Sequence, residues 1–317
     1  MFLDYVKEKE ANMKKRIISL LMAALLVAAG PLSQVKASGV SSLDLQAFES
    51  VKTNEAIKVN VVRNASKASE STPTTITDNK NGTITVKYDN TEAAKVVVQV
   101  VRTGSDVKYN YYLSEGVVKE VIPLTDGNGD YVIYVCKNIV GTKYSVVANS
   151  TVTLALEDES DVYKIANIIV DYTTTNKAIK KADSLCKKLK TDTSKITKIY
   201  KYVVQNYAYD YGKVSTVKET VGYIPSIVQT FKAKMGICYD IASLYAAMCR
   251  SQGIPAKVVT GYCKTVDGLH AWNEVYDQTK EKWYIIDCTA DIAYYAAKKS
   301  VSMKKSSKVY YAEEYYH

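Results

Sequence analysis

Three residues in the second half of the chain have the types and spacing for nucleophilic chemistry. Cys238 sits in Gly236-Ile237-Cys238-Tyr239-Asp240, at the head of a run with helical spacing. Gly236 permits a tight turn, and a cysteine that opens a helix faces the positive end of the helix dipole. That field favours thiolate over thiol, and the thiolate is the nucleophile. Helix N-termini and a neighbouring imidazolium can lower a cysteine pKa from ~8.5 to between ~3.5 and ~7.5. His270 sits in Leu269-His270-Ala271-Trp272-Asn273-Glu274-Val275 and shares the chain with one other histidine, His317. It follows the polar Asp267-Gly268 and opens an expected strand. Asp287 follows Trp283-Tyr284-Ile285-Ile286, at the end of the next strand. A carboxylate there is costly unless it has a partner. If the two strands pair antiparallel, the start of one meets the end of the other, and Asp287 falls beside His270. Attack by Cys238, proton transfer by His270 and orientation of His270 by Asp287 is the chemistry this order would support.

The elements around these residues follow from periodicity. Residues 177–190 and 194–206 carry apolar side chains at helical spacing; Ile196, Ile199, Val203 and Val204 share one face. Asp192 and Thr193 are suited to cap the second of these helices. Pro225 introduces a short helix over 226–234, and a further helix over 238–252 is stopped by Gly253 and Pro255. Strands are expected over 256–263, 271–276 and 282–288. A helical cluster followed by an antiparallel sheet is an α+β layout. Residues 57–156 read differently. Short Val- and Tyr-rich runs recur at about 10-residue spacing, separated by Asn81-Gly82, Gly104-Ser105, Glu115-Gly116 and the Asp126–Asp130 stretch, which predicts a β-sandwich. That half holds no His, no Trp and one cysteine, Cys136, so it is expected to be a spacer or adhesion module. The Ser/Thr-rich stretch 66–78 reads as a loop.

The first 37 residues read as an address. Lys14, Lys15 and Arg16 precede the apolar run Ile17–Ala29, and Val35-Lys36-Ala37 supplies small residues for cleavage. This is the pattern of a secretory signal peptide, too short for a comfortable membrane span. The expected organisation is therefore a signal peptide over 1–37, an N-terminal segment over 38–56, a β-sandwich-like domain over 57–157 and a catalytic domain over 158–317. The expected location is secreted or cell-surface associated, with no stable membrane insertion after cleavage. Of 317 residues, 47% are apolar and 24% charged, which excludes wholesale disorder. The net charge of +9 is spread along the chain rather than gathered in blocks. It favours acidic surfaces such as a bacterial wall and gives no nucleic-acid footprint. Cys136, Cys186, Cys238, Cys249, Cys263 and Cys288 form no CxxC pair and no dense disulfide framework.

Gly-x-Cys opening a helix, His-Ala-Trp on a strand and Trp-x-x-x-Asp-x-Thr on the next, in that order, resemble the transglutaminase-like superfamily across about Asp192–Asp291. The runs Gly236–Leu244 and Gly253–Tyr262 are characteristic of that core. The β-domain-plus-core arrangement resembles secreted proteins of Gram-positive, Clostridium-type bacteria. The resemblance implies a papain-like fold and acyl transfer through a thioester. Cys238 would attack a glutamine side-chain amide or a peptide bond, His270 would take and return the proton, and Asp287 would orient His270. An amine acceptor gives a cross-link, as in a transglutaminase; water gives hydrolysis, as in a cysteine peptidase. The substrate would be a protein or peptide, cell-wall peptide included, and no cofactor is implied. The backbone N–H of Cys238 would help form the oxyanion hole. In animal transglutaminases a tryptophan upstream of the nucleophile adds a donor. Tyr223, in Gly222-Tyr223-Ile224-Pro225-Ser226, sits in comparable local sequence, and Trp272 is a second pocket candidate.

Other readings compete. A zinc site of Cys238, His270 and Cys288 or Cys263 lacks paired-ligand spacing. No calcium loop stands out in the catalytic half, and Asp126–Asp130 reads as a turn, so metal independence is expected. The alternative to catalysis is a papain-like module kept for binding cell-wall or host components. Competent residue types at all three positions favour the enzyme. Asp240 is expected to be structural, Cys249 to be buried core about three turns beyond Cys238, and the Tyr207–Tyr211 cluster to border the cleft.

Overall fold

The computed structural model describes residues 74–218, 222–264 and 266–317, together with the backbone of two short strands at 42–43 and 60–62. The expected signal peptide over 1–37 and most of the segment over 38–56 lie outside the described residues.

The first part is all strand: β1 (Ser42–Leu43), β2 (Asn60–Val62), β3 (Thr75–Asp78), β4 (Thr83–Asn90), β5 (Val96–Arg102), β6 (Lys108–Leu113), β7 (Gly116–Pro123), β8 (Gly129–Val140) and β9 (Lys143–Leu154). They form a six-stranded sheet in the order β1-β2-β9-β8-β5-β6 and a three-stranded sheet in the order β3-β4-β7. All pairings are antiparallel except β2 on β9. The stretch expected as a loop over 66–78 ends in strand β3, which pairs with β4 from Thr75↔Lys87 to Asp78↔Ile84. Its alternation of Thr and Ile gives one half-buried face, which outweighs the turn composition.

The second part begins with a 3₁₀ turn at Glu159–Lys164. It continues through α1 (Lys177–Cys186), α2 (Asp192–Asn206), β10 (Ala208–Tyr209), α3 (Tyr211–Lys218), α4 (Ile227–Ala233), β11 (Met235–Gly236) and α5 (Cys238–Arg250). Then come β12 (Ala256–Cys263), β13 (Val266–Asp277), β14 (Lys282–Ile286), α6 (Cys288–Ala296), β15 (Lys304–Lys305) and β16 (Tyr310–Tyr316). The main sheet runs β15-β14-β13-β12-β16, antiparallel throughout. The architecture is α+β, with the strand-rich half first and the helices and their antiparallel sheet after it.

Local chemistry explains the boundaries. Thr191 caps α2 through a 3.3 Å bond from the Ser194 N–H, and Ile196, Ile199, Tyr200, Val203 and Val204 form its buried face. Ser226 caps α4, and Lys234 ends it in the left-handed region at φ 57°. Helix α5 is buried at every position from Tyr239 to Arg250, so it forms the central rod, between the other helices and strands β12 and β13. Asn273 ties rod to sheet: its Nδ2 donates to the carbonyls of Ala242 and Lys257, both at 2.9 Å.

The two halves, so different in pattern, pack as one compact unit over Ser41–His317. A single apolar core runs from Ile84, Val98 and Ile133 in the strand-rich half to Ile199, Leu244 and Val275 in the other. His317 is one of the fasteners. It lies 3% exposed, edge-on to the rings of Tyr109 and Tyr111, with Nδ1 3.3 Å from the Tyr111 hydroxyl. Burial, seconded by the charge of Arg250, pushes its pKa down to about 3, so the ring is neutral. Arg250 is equally buried and meets three backbone carbonyls. Nε donates to Ala256 at 2.9 Å, Nη1 to Ile165 at 2.7 Å and Nη2 to His317 at 2.7 Å. Burial pushes its pKa down to about 10, which still leaves it charged at neutral pH. Replacing it removes three hydrogen bonds to backbone carbonyls. Arg250→Met is expected to destabilise the protein by about 3 kcal/mol or more, read as a lowered denaturation midpoint.

Candidate active site

The turn into α5 fixes Cys238. Strands β10 and β11 pair in parallel, Ala208 with Met235 and Tyr209 with Gly236, which delivers the chain to the helix start. Asp240 finishes the job. Its Oδ2 accepts from the Ile237 N–H at 3.1 Å and from Lys213 Nζ at 2.7 Å, and its Oδ1 accepts from the Tyr223 hydroxyl at 2.5 Å. A carboxylate in the first turn of a helix suits the dipole, and here it also ties three segments to the first turn of α5. Gly236 is required by close approach: a Cβ there would lie 2.7 Å from the Asp240 Cβ. Cys238 stands partly exposed at the head of the rod, and the other five cysteines are buried, none of them in a disulfide.

The sheet fixes the partners. Asn273 pairs with Ile286 across β13 and β14, so His270 and Asp287 lie just beyond the same end of that ladder. His270 Nε2 donates to Asp287 Oδ2 at 2.8 Å, with the two residues 3% and 0% exposed. The other ring nitrogen, Nδ1, is left for Cys238, whose side chain hydrogen-bonds the imidazole. The structure therefore brings Cys238, His270 and Asp287 together in that order. Burial works against the charged imidazole. The Asp287 charge and hydrogen bond, with the hydrogen bond that the charged ring donates to Cys238, outweigh it and hold His270 well above its ordinary value of 6.5. Burial likewise opposes the Asp287 anion. The charge and bond of His270, the Ala290 N–H and the Tyr310 hydroxyl keep it below 3.8.

Several details differ from expectation. Strand β13 starts at Val266, so His270 lies within it, opposite Gly261, rather than at its start. Strand β14 ends at Ile286, and Cys288 opens α6 instead of closing the strand. The cause is Asp287, whose Oδ1 accepts the Ala290 N–H at 2.9 Å and caps the new helix. Tyr223 is not aimed as an oxyanion donor: its one hydroxyl proton goes to Asp240. Trp272 does not line an open pocket either. It is 1% exposed, stacked beside His270 at 6.1 Å between ring centroids and 29° between planes. The Tyr209 phenol is pushed up in pKa by burial first, and then by the charge of Cys238. Tyr310 was not legible as part of the site, although its hydroxyl donates to Asp287 Oδ2 at 2.9 Å. The sequence around it, Val309-Tyr310-Tyr311 and Tyr315-Tyr316, is rich in tyrosine and fits a last strand or a surface patch equally. Among the described residues, no group of three His, Cys, Asp or Glu side chains is gathered to hold a metal ion.

Residues 179–288 match the model of the transglutaminase-like superfamily, and all three residues fall inside that span. A curated relative is the uncharacterized protein YebA of Bacillus subtilis (strain 168), 27% identical over 161 residues, or 42% of this chain. The match spans 21% of YebA's length. Among solved structures, a candidate cysteine protease from Cytophaga hutchinsonii is 18% identical, with 68% of this chain and 69% of that one covered at a TM-score of 0.36. Red sea bream transglutaminase is 13% identical, with 65% and 47% covered at a TM-score of 0.26.

Two expectations follow. Gly236→Ala sets a methyl group against the Asp240 Cβ and pushes β11 and the first turn of α5 apart, so it should slow thiol alkylation at Cys238 about tenfold or more while the fold, read by circular dichroism, persists. The His270–Asp287 pair should also stabilise the protein within a definite pH window. The raised His270 contributes fully below its unfolded value of 6.5, and its contribution is lost as pH rises through the higher folded value. The lowered Asp287 contributes fully above 3.8, and its contribution is lost as pH falls through the lower folded value. The stability gap between wild type and Asp287→Asn should therefore be widest between 3.8 and 6.5 and shrink on either side, as measured by denaturant melts across pH.

Proposed function

We propose that the chain is a thiol-dependent acyl-transfer enzyme acting on glutamine side-chain amides or peptide bonds of protein substrates through a thioester at Cys238. The observation that carries this reading is the buried His270–Asp287 bond at 2.8 Å beside the one cysteine that is partly exposed. A buried ion pair of this kind is expensive to keep as mere packing, and it stands where a proton must move.

In this mechanism the proton on Cys238 passes to His270 Nδ1, and the sulfur attacks the substrate carbonyl. Asp287 fixes the ring so that Nε2 carries its proton and Nδ1 faces the sulfur, and it stabilises the imidazolium that forms. The backbone N–H of Cys238 is available to the oxyanion. His270 then returns its proton to the leaving nitrogen, giving the thioester and free ammonia or a peptide amine. An incoming amine yields a cross-link and water yields hydrolysis, with regeneration of the thiol in either case. The signal-like first 37 residues and the positive charge of the chain support action outside the cell on wall or surface proteins.

The test is incubation with a glutamine-rich protein and a labelled primary amine, followed by mass spectrometry. Amine incorporation identifies a cross-linking enzyme; chain cleavage or deamidation without amine identifies a hydrolase. Cys238→Ala should abolish turnover, and His270→Ala should lower it about 10²–10⁴-fold. Full activity in Cys238→Ala would overturn the mechanism. Absence of every product together with an ordinary, slow thiol at Cys238 would instead favour the binding-module reading.

A further inference from the structure

The Asp287 carboxylate has a second partner on its working oxygen. Oδ2 accepts from His270 Nε2 at 2.8 Å and from the Tyr310 hydroxyl at 2.9 Å, while Oδ1 is committed to the Ala290 N–H. Tyr310 arrives from β16, outside the span matched by the superfamily model, and pairs with Cys263 of β12. The Lys264 N–H donates to the Val309 carbonyl at 2.9 Å and holds the start of that strand. The Tyr310 ring is 6% exposed and stands edge-on to Trp272 at 5.2 Å, and Trp272 lies in turn against His270. One strand thus touches the acid directly and the imidazole through an indole.

We propose that Tyr310 is a positioning residue of the site, whose hydroxyl shares Asp287 Oδ2 with His270 and so sets how strongly the carboxylate holds the imidazolium. The proposal rests on the catalytic reading of Cys238, His270 and Asp287 given above. The physical basis is competition for one oxygen. A hydrogen bond draws electron density from the acceptor, and a second donor on the same oxygen weakens its attraction for the first. Burial and then the Asp287 charge push the Tyr310 phenol well above its ordinary range, so it stays a donor at every working pH.

Other charged and titratable groups surround the pair. Cys238 faces it from α5, with Tyr209 of β10 nearby, and Cys263 of β12 adjoins Tyr310. Cys288 and Asp291 face it from α6. Asp291 is itself held by Lys305 of β15 at 2.5 Å and by the Tyr200 hydroxyl of α2 at 2.7 Å. Tyr200 is therefore a matched control: a phenol bonded to a buried carboxylate, one step removed from His270.

The experiment is an NMR titration of ¹⁵N-histidine in the full chain. The chain has two histidines, and His317 is held neutral in the core, so the titrating signal reports His270. In Tyr310→Phe the midpoint should move up by roughly half a pH unit or more, because Oδ2 then serves His270 alone. With 3-fluorotyrosine placed at position 310, a stronger donor of nearly the same shape, it should move down. Tyr200→Phe should leave it unchanged. Alkylation of Cys238 is followed in parallel. If wild-type Cys238 reacts like an ordinary thiol with no dependence on His270, the catalytic reading falls and the proposal with it. If wild type shows that dependence but the midpoint stays fixed in both position-310 proteins, Tyr310 only fills space and this proposal alone is overturned. Should Tyr310→Phe fail to fold, the fluorotyrosine protein decides the matter by itself.

Discussion

Much of this molecule is organised around one carboxylate that has no contact with water. Asp287 is 0% exposed, and an anion there survives only if every lone pair is answered. Its three donors come from three different places: a helix start at Ala290, the middle of strand β13 at His270, and the last strand at Tyr310. Meeting that demand sets the β13–β14 register, ends β14 at Ile286, starts α6 at Cys288 and draws β16 against β12. An imidazole held in one orientation is the by-product that chemistry can use.

Asp240 plays the corresponding part at the start of α5. It too is fully buried, and it too gathers a backbone N–H, a lysine and a phenol. The two acids differ in what they hold. Asp240 orients the start of α5 and hence the sulfur, whereas Asp287 orients the imidazole. Sulfur and imidazole are thus fixed by separate buried carboxylates on separate elements, and α5 and β13 are joined behind them by Asn273.

Sequence made the chemistry easier to see than its supports. Cys238, His270 and Asp287 stood out because each combines a reactive side chain with a recognisable local pattern, and the α+β order followed from a change of period near residue 161. Asp240 could be assigned a structural part because a carboxylate in the first turn of a helix has an obvious partner. Tyr310 offered no such pattern: among 27 tyrosines, only tertiary contact distinguishes it. The same holds for Tyr223, whose hydroxyl could be placed only once its neighbour was known, and for His317, where burial depends on residues far away in sequence. Strand and helix limits shifted where a side chain intervened. Asp287 turned the expected last residues of a strand into a helix start, and the Thr–Ile alternation of β3 outweighed turn-like composition.

The contact between Tyr111 and His317 spans 206 residues of chain. Loops of that length close at a large entropic cost and are slow to find their ends. Tyr310 lies only seven residues before His317, on the strand that this contact anchors. As the chain leaves the ribosome, the cysteine therefore emerges well ahead of the strand that completes the surroundings of its acid. The strand that brings Tyr310 to Asp287 is thus made after the cysteine, the imidazole and the acid whose surroundings it completes.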